Sequence, residues 1–256
     1  MKPPSKRGIR RAHELLIEEY GTRTPLVRDP LDGLILIILS QATSDINSDR
    51  AFRTLQERLP SWQAVLDAPL QAVADAIRCG GLANQKAARI QQLLREIYSE
   101  RGDLDLSWLH DATAQECIDY LSKFHGVGPK TIACVLMFFL GKPAFAVDTH
   151  VLRVTKRLGW LRPQASAEEA HRVFAVAVPD DCKLDLHVNL IAHGRAICRA
   201  SGNGGPQCGI CVLRRHCEFG KSLKNAPLST AIGGTRRAGS DFFLTVQPKA
   251  ENSAAD

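Results

Sequence analysis

Apolar residues recur at helical spacing in segment after segment of this chain, and that pattern restricts it to a helical fold. Residues 9–20, 31–40, 44–58, 62–67, 70–77, 85–99, 114–123, 130–140, 151–158, 167–178 and 185–198 all carry it. Glycine and proline separate these stretches at Gly80-Gly81, Gly126-Val127-Gly128-Pro129, Gly141-Lys142-Pro143 and residues 202–206. No stretch alternates as a half-buried strand would, and nothing repeats with a solenoid period. The expectation is an all-α protein.

With 256 residues, 45% hydrophobic and 23% charged, the chain can bury a real core in one large domain or two small ones. Its longest apolar run, around residues 34–39, is far shorter than a membrane span. Residues 1–11 are basic but carry no apolar signal region, so a cytoplasmic protein is expected. The net charge of +6 permits an anionic partner, although excess charge speaks only of solubility until the charges cluster. Residues 221–256 read as a disordered tail; a docked short segment at the apolar patch 242–246 is the alternative.

Cysteine use is uneven. Cys79, Cys117, Cys134 and Cys182 are scattered and read as structural thiols, whereas Cys198, Cys208, Cys211 and Cys217 fall close together. In an intracellular chain such a group points to a metal or iron–sulfur site rather than to disulfides.

Residues 124–131, Phe-His-Gly-Val-Gly-Pro-Lys-Thr, join an amphipathic helix to a strongly apolar one. Two glycines around one apolar residue allow a tight turn, and Pro129 suits the first helical position. Outward N–H groups at the positive end of a helix make an anion site suited to phosphate, although a plain connector would read the same way. Lys130 adds weight, because it lies in the first helical turn, where the dipole disfavours its positive charge. A neutral amine there could attack a carbonyl-like carbon and form a Schiff base. Further on, Asp148 precedes a helical run and reads first as an N-cap; a carboxylate near Lys130 is the functional reading.

These two elements, in this order and separation, resemble the helix–hairpin–helix DNA glycosylases; with the C-terminal cysteines the chain resembles an endonuclease III. The resemblance covers about residues 12–220. It extends to Leu39-Ser40 with Thr43 and Asp45, to Gly81-Leu82 with Asn84, Lys86 and Ala87, and to His187, Leu190-Ile191 and His193-Gly194-Arg195.

The resemblance implies a bifunctional glycosylase and abasic-site lyase that excises oxidised pyrimidines of the thymine glycol type from duplex DNA. Lys130 would be the nucleophile and Asp148 would stabilise the developing sugar cation. The implied DNA contacts are Gly126, Val127 and Gly128 at a phosphate, Gln41 and Leu82 at the gap left by a flipped base, Lys86 at the backbone and His150 near the distorted duplex. For Leu82 a core position is an equal alternative, and for Lys86 a solvated helix face is the plainer one. His187 and His193 would be structural, and Arg214, Arg215 and His216 would offer basic contacts. Cys198, Cys208, Cys211 and Cys217 would hold a 4Fe-4S cluster, with zinc as the alternative.

The expected architecture is two lobes with DNA in the cleft and Lys130 facing Asp148 across it. Residues 30–142 form a helical barrel, and residues 9–29 with 143–220 form the cysteine-bearing lobe. A monomeric, cytoplasmic, nucleoid-associated bacterial enzyme is expected, with duplex DNA containing damaged pyrimidines or abasic sites as partner and no membrane. The other functions considered are a monofunctional mismatch glycosylase, which the presence of Lys130 opposes, and a non-catalytic DNA-binding module, which needs neither Lys130 nor Asp148.

Three departures from the family pattern stand out. The first cysteine gap has nine residues, 199–207, where relatives have six. Relatives place Gln or Asn two residues after the Leu-Ser pair, where this chain has Ala42, with Gln41 one residue earlier. They also have Pro where His125 stands, so this hairpin is expected to be slightly looser.

Overall fold

The computed structural model describes residues 4–25, 28–223 and 244–246. Its helices run in order α1 (Lys6–Tyr20), α2 (Pro30–Ser40), α3 (Asp45–Arg58), α4 (Trp62–Asp67), α5 (Leu70–Ala76), α6 (Ala83–Arg101), α7 (Ala114–Leu121), α8 (Pro129–Phe138), α9 (Thr149–Leu158), α10 (Ala167–Ala177), α11 (Lys183–Ala196) and α12 (Glu218–Ser222). Two three-residue strands, β1 (Arg23–Pro25) and β2 (Leu244–Val246), pair with one another. They correct the strand-free reading: segments this short show no periodicity to detect. No helix among the described residues is long and apolar enough to cross a membrane.

The helix starts follow from side chains that satisfy free N–H groups. Ser44, Ser61 and Ser166 accept from the first turns of α3, α4 and α10. Thr113 and Glu116 form a reciprocal capping box on α7, and Asp29 with Pro30 opens α2. The expected stretch 70–77 ends earlier, at Ala76, and tightens into a 3-10 turn, Arg78–Gly80.

Contacts divide the chain into two compact units. One is Pro25–Lys142, here the hairpin unit. Its core is built on α2 and α8, which are apolar all round beyond their first turns and buried there, residues 34–39 in α2 and 131–138 in α8. α2 packs against α3, α6 and α8, and Phe139, just past α8, lies against Gly33. Pro25, Arg28 and Asp29, expected with the N-terminal helix, go with this unit, where the Arg28 N–H donates to the Phe139 carbonyl at 3.4 Å.

The cysteine unit joins the residues up to Thr24 to those from Pro143 onward. α11 is central to it and packs against α1 and α9. Ile9, Leu16, Phe145, Val151, Leu158, Phe174, Leu186 and Leu190 share its core. Buried Asn189 donates to the Gly21 carbonyl at 2.9 Å and so pins the end of α1. Of the expected tail, Lys221 and Ser222 belong to α12 and 244–246 to β2, while 224–243 and 247–256 lie outside the described residues.

Candidate functional site

In the hairpin unit, the turn between α7 and α8 is tight because Val127 N–H donates to the Phe124 carbonyl at 3.1 Å. Gly126 sits at φ +75°, a backbone region that favours glycine, and the Arg89 guanidinium packs against it. Gly128 is different. Its φ of −90° suits any residue, and a Cβ there would meet nothing. The N–H groups of Gly126 and Gly128 have no acceptor among the described residues, so both remain available to an anion. Val127 is corrected as a DNA contact: its side chain is buried and its N–H closes the turn. His125 is better anchored than expected, because its N–H donates to Glu96 Oε2 at 3.1 Å, a bond proline cannot make.

Pro129 takes the first position of α8 and Lys130 the second. Lys130 is exposed, and its amine has no hydrogen bond or ion pair among the described residues. An amine so placed is open to attack an electrophile.

Two further turns in this unit share one backbone feature. Ala42 and Leu82 are the non-glycine residues with positive φ, each at 51°, among the described residues. Leu82 is 53% exposed, which excludes the core position that sequence alone left open. Gln41 has a partner within the protein. It is half-buried, and its Oε1 accepts from Arg89 Nη1 at 3.0 Å, while exposed Ala42 stands next to it in the left-handed turn. Lys86 departs most. It is only 4% exposed, and its ammonium donates to the Leu39 and Gly80 carbonyls at 2.7 Å each, so it is neither a DNA contact nor a solvated helix residue. Burial pushes its pKa down.

In the cysteine unit, Asp148 caps α9, its Oδ1 accepting from Val151 N–H at 2.7 Å. This leaves Oδ2 for other work. His150 is the second residue of α9, with Nδ1 3.0 Å from Arg153 Nη2. Burial holds this imidazole below its ordinary pKa, and Arg153 and Arg195 press the same way against Asp148.

Cys198, Cys208, Cys211 and Cys217 line one cavity together with Arg157 and Phe219. Arg157 Nη1 donates to Cys198 Sγ at 3.3 Å and Gly220 N–H to Cys217 Sγ at 3.3 Å. His193 Nε2 lies 3.4 Å from Cys211 Sγ, and its Nδ1 lies 3.0 Å from the Tyr20 hydroxyl. Burial raises the pKa of Cys208 and Cys217 and pushes that of Cys211 up to about 12, so bare thiolates are disfavoured without a cation among them. The lengthened gap closes on itself, since Cys198 bridges to Pro206 and Gln207 N–H donates to the Ile197 carbonyl at 2.9 Å. Among the described residues no group of three or more His, Cys, Asp or Glu forms a site for a single metal ion.

Residues 35–180 match the HhH-GPD superfamily of base excision DNA repair proteins. The chain is 34% identical over 191 residues to endonuclease III of Thermotoga maritima, covering 75% of this chain and 84% of that one. It belongs to the endonuclease III family. A provisionally assigned DNA glycosylase of Arabidopsis thaliana is 45% identical over 165 residues, 64% of this chain, and the chain spans only 56% of that plant relative. A solved endonuclease III trapped as a covalent intermediate with DNA superposes with a TM-score of 0.72 at 29% identity, over 87% of this chain and 100% of that one.

Beyond this endonuclease III framework, the structure adds residues that the sequence did not single out. Arg89 links Gln41 to the hairpin, and Tyr20 backs His193 behind Cys211. Neither had a local signal, since each partner lies far away along the chain.

Proposed function

We propose that this chain is a bifunctional DNA glycosylase and abasic-site lyase that removes oxidised pyrimidines from duplex DNA. The observation that carries the reading is Lys130: an exposed, unpaired amine at the start of α8, beside a turn whose Gly126 and Gly128 N–H groups await an anion. Phosphate binding alone would not need that amine.

In the proposed reaction the Lys130 nitrogen bonds to C1′ of a flipped-out nucleotide. The glycosidic bond breaks, and the base leaves with its electron pair and takes up a proton. Asp148 stabilises the positive charge that develops on the sugar, with Oδ2 as the available oxygen. Ring opening gives an imine between lysine and C1′. Loss of a C2′ proton then expels the 3′ phosphate oxygen with its bonding pair and nicks the strand. Water hydrolyses the imine and frees the lysine.

The four cysteines suit a 4Fe-4S cluster: soft donors around one cavity, with N–H groups of Arg157 and Gly220 directed at sulfur. Bound there, the cluster would supply a covalent brace to the loop that carries Arg214 and Arg215. We place the enzyme in the cytoplasm, at the DNA, as a monomer.

The test is borohydride reduction with a duplex containing one thymine glycol. Reduction traps only an imine, so the expected result is a covalent adduct on the tryptic peptide that contains Lys130. Base release without an adduct would make the chain a monofunctional glycosylase. Binding with neither release nor adduct would overturn the enzymatic reading for this substrate.

A further inference from the structure

We propose that Lys86 is a positioning residue that locks the turns bearing Ala42 and Leu82 to one another. It extends the preceding reading and depends on one part of it, that these turns meet duplex DNA.

A lysine buried without a carboxylate is costly, because its charge loses water and gains no counter-ion. What Lys86 gains is two carbonyls from separate parts of the chain, Leu39 and Gly80, each at 2.7 Å. Leu39 ends the buried stretch of α2, at the negative end of that helix, where a cation is favoured. Other groups already serve the neighbouring carbonyls: Ser40 Oγ donates to Ile37 and Gln41 N–H to Ile38. Lys86 completes that end and, with the same ammonium, closes the 3-10 turn Arg78–Gly80.

Each carbonyl lies just ahead of a strained residue. Ala42 follows Leu39 and Leu82 follows Gly80 within one turn, and both hold φ at 51°. Neither alanine nor leucine prefers that conformation, which persists only where the surroundings enforce it. A methionine or leucine at position 86 would fill the same space but join nothing. One ammonium between the two carbonyls makes the position of each turn depend on the other.

The experiment uses the full chain and compares affinity for a duplex carrying one tetrahydrofuran abasic analogue with affinity for the intact duplex of the same sequence. The native protein should prefer the analogue. Lys86→Met should cut that preference about tenfold while leaving intact-duplex affinity, set by phosphate contacts, unchanged. Leu82→Ala should also lower it, and the double variant should fall no further than Lys86→Met alone. If Lys86→Met does not fold, Lys86→Gln, which keeps an amide NH2 as donor on a shorter side chain, replaces it and should show a smaller loss. A folded position-86 variant with native preference, or losses that simply add, would overturn the clamp while leaving the DNA-facing reading intact. A native protein without preference, unaffected by Leu82→Ala, would overturn that reading and the clamp with it.

Discussion

A Cβ placed on Gly126 would stand 2.8 Å from Arg89 Nη2. The hairpin glycine and the arginine that holds Gln41 therefore share one space, and Gly126 also needs its positive φ. Gly126→Ala is expected to cost about 1–2 kcal/mol from backbone strain and to displace Arg89. Gly128→Ala should leave stability within about 0.5 kcal/mol, because nothing lies near its Cβ. It should nevertheless weaken duplex binding if a phosphate approaches that N–H. Urea unfolding and a binding titration of both variants would separate the two effects.

Gly33 lies inside α2, where alanine would ordinarily help by about 1 kcal/mol. Here a Cβ would lie 2.5–2.8 Å from three atoms of the Phe139 ring. Overpacking of that kind costs about 1–3 kcal/mol, so it outweighs the helix preference. Gly33→Ala should therefore lower the unfolding midpoint; a stabilised variant would show that the ring moves freely aside.

His150 is held below its ordinary pKa of 6.5, chiefly by burial. The unfolded chain then binds the proton more tightly, so stability falls as pH drops through the ordinary value and levels off below the folded one. His150→Gln, which does not titrate, should lose less stability than the native protein between about pH 7.5 and pH 5. Urea midpoints across that range check the sign; equal losses would refute it.

Cys211 shares its cavity with the other three cysteines and lies next to His193. If the proposed 4Fe-4S cluster is held by these four cysteines, Cys211→Ser should abolish its visible absorbance and lower the thermal midpoint. Tyr20→Phe should keep the absorbance and cost about 0.5–1.5 kcal/mol through the lost bond to His193. A Cys211→Ser protein with native colour would remove this residue from the ligand set.

Much of the helical layout is legible locally. α4 runs from Trp62 to Asp67 as its periodicity indicates, and Pro129 opens α8 as its missing N–H permits. Asp148 caps α9 as its position before an apolar run requires. The short strands were not legible, and neither was the 3-10 turn that ends in Gly80. Three residues carry no period, and the two strands also need a partner far along the chain.

By itself, then, the sequence determined most of the helices, the Asp148 cap, the turn before Lys130 and the cysteine spacing. All of these depend on residues within a few positions of each other. Only the tertiary structure decided that Lys86 points inward, that Gln41 is held by Arg89 while Ala42 occupies the left-handed turn, and that Leu82 is exposed rather than buried. The physical reason lies in separation along the chain. Lys86 and the Leu39 carbonyl are 47 residues apart, as are Arg89 and Gln41 by 48, so no local pattern records whether such groups meet. Whether a lysine on a helix faces water or a pair of carbonyls depends on what the folded chain places beside it.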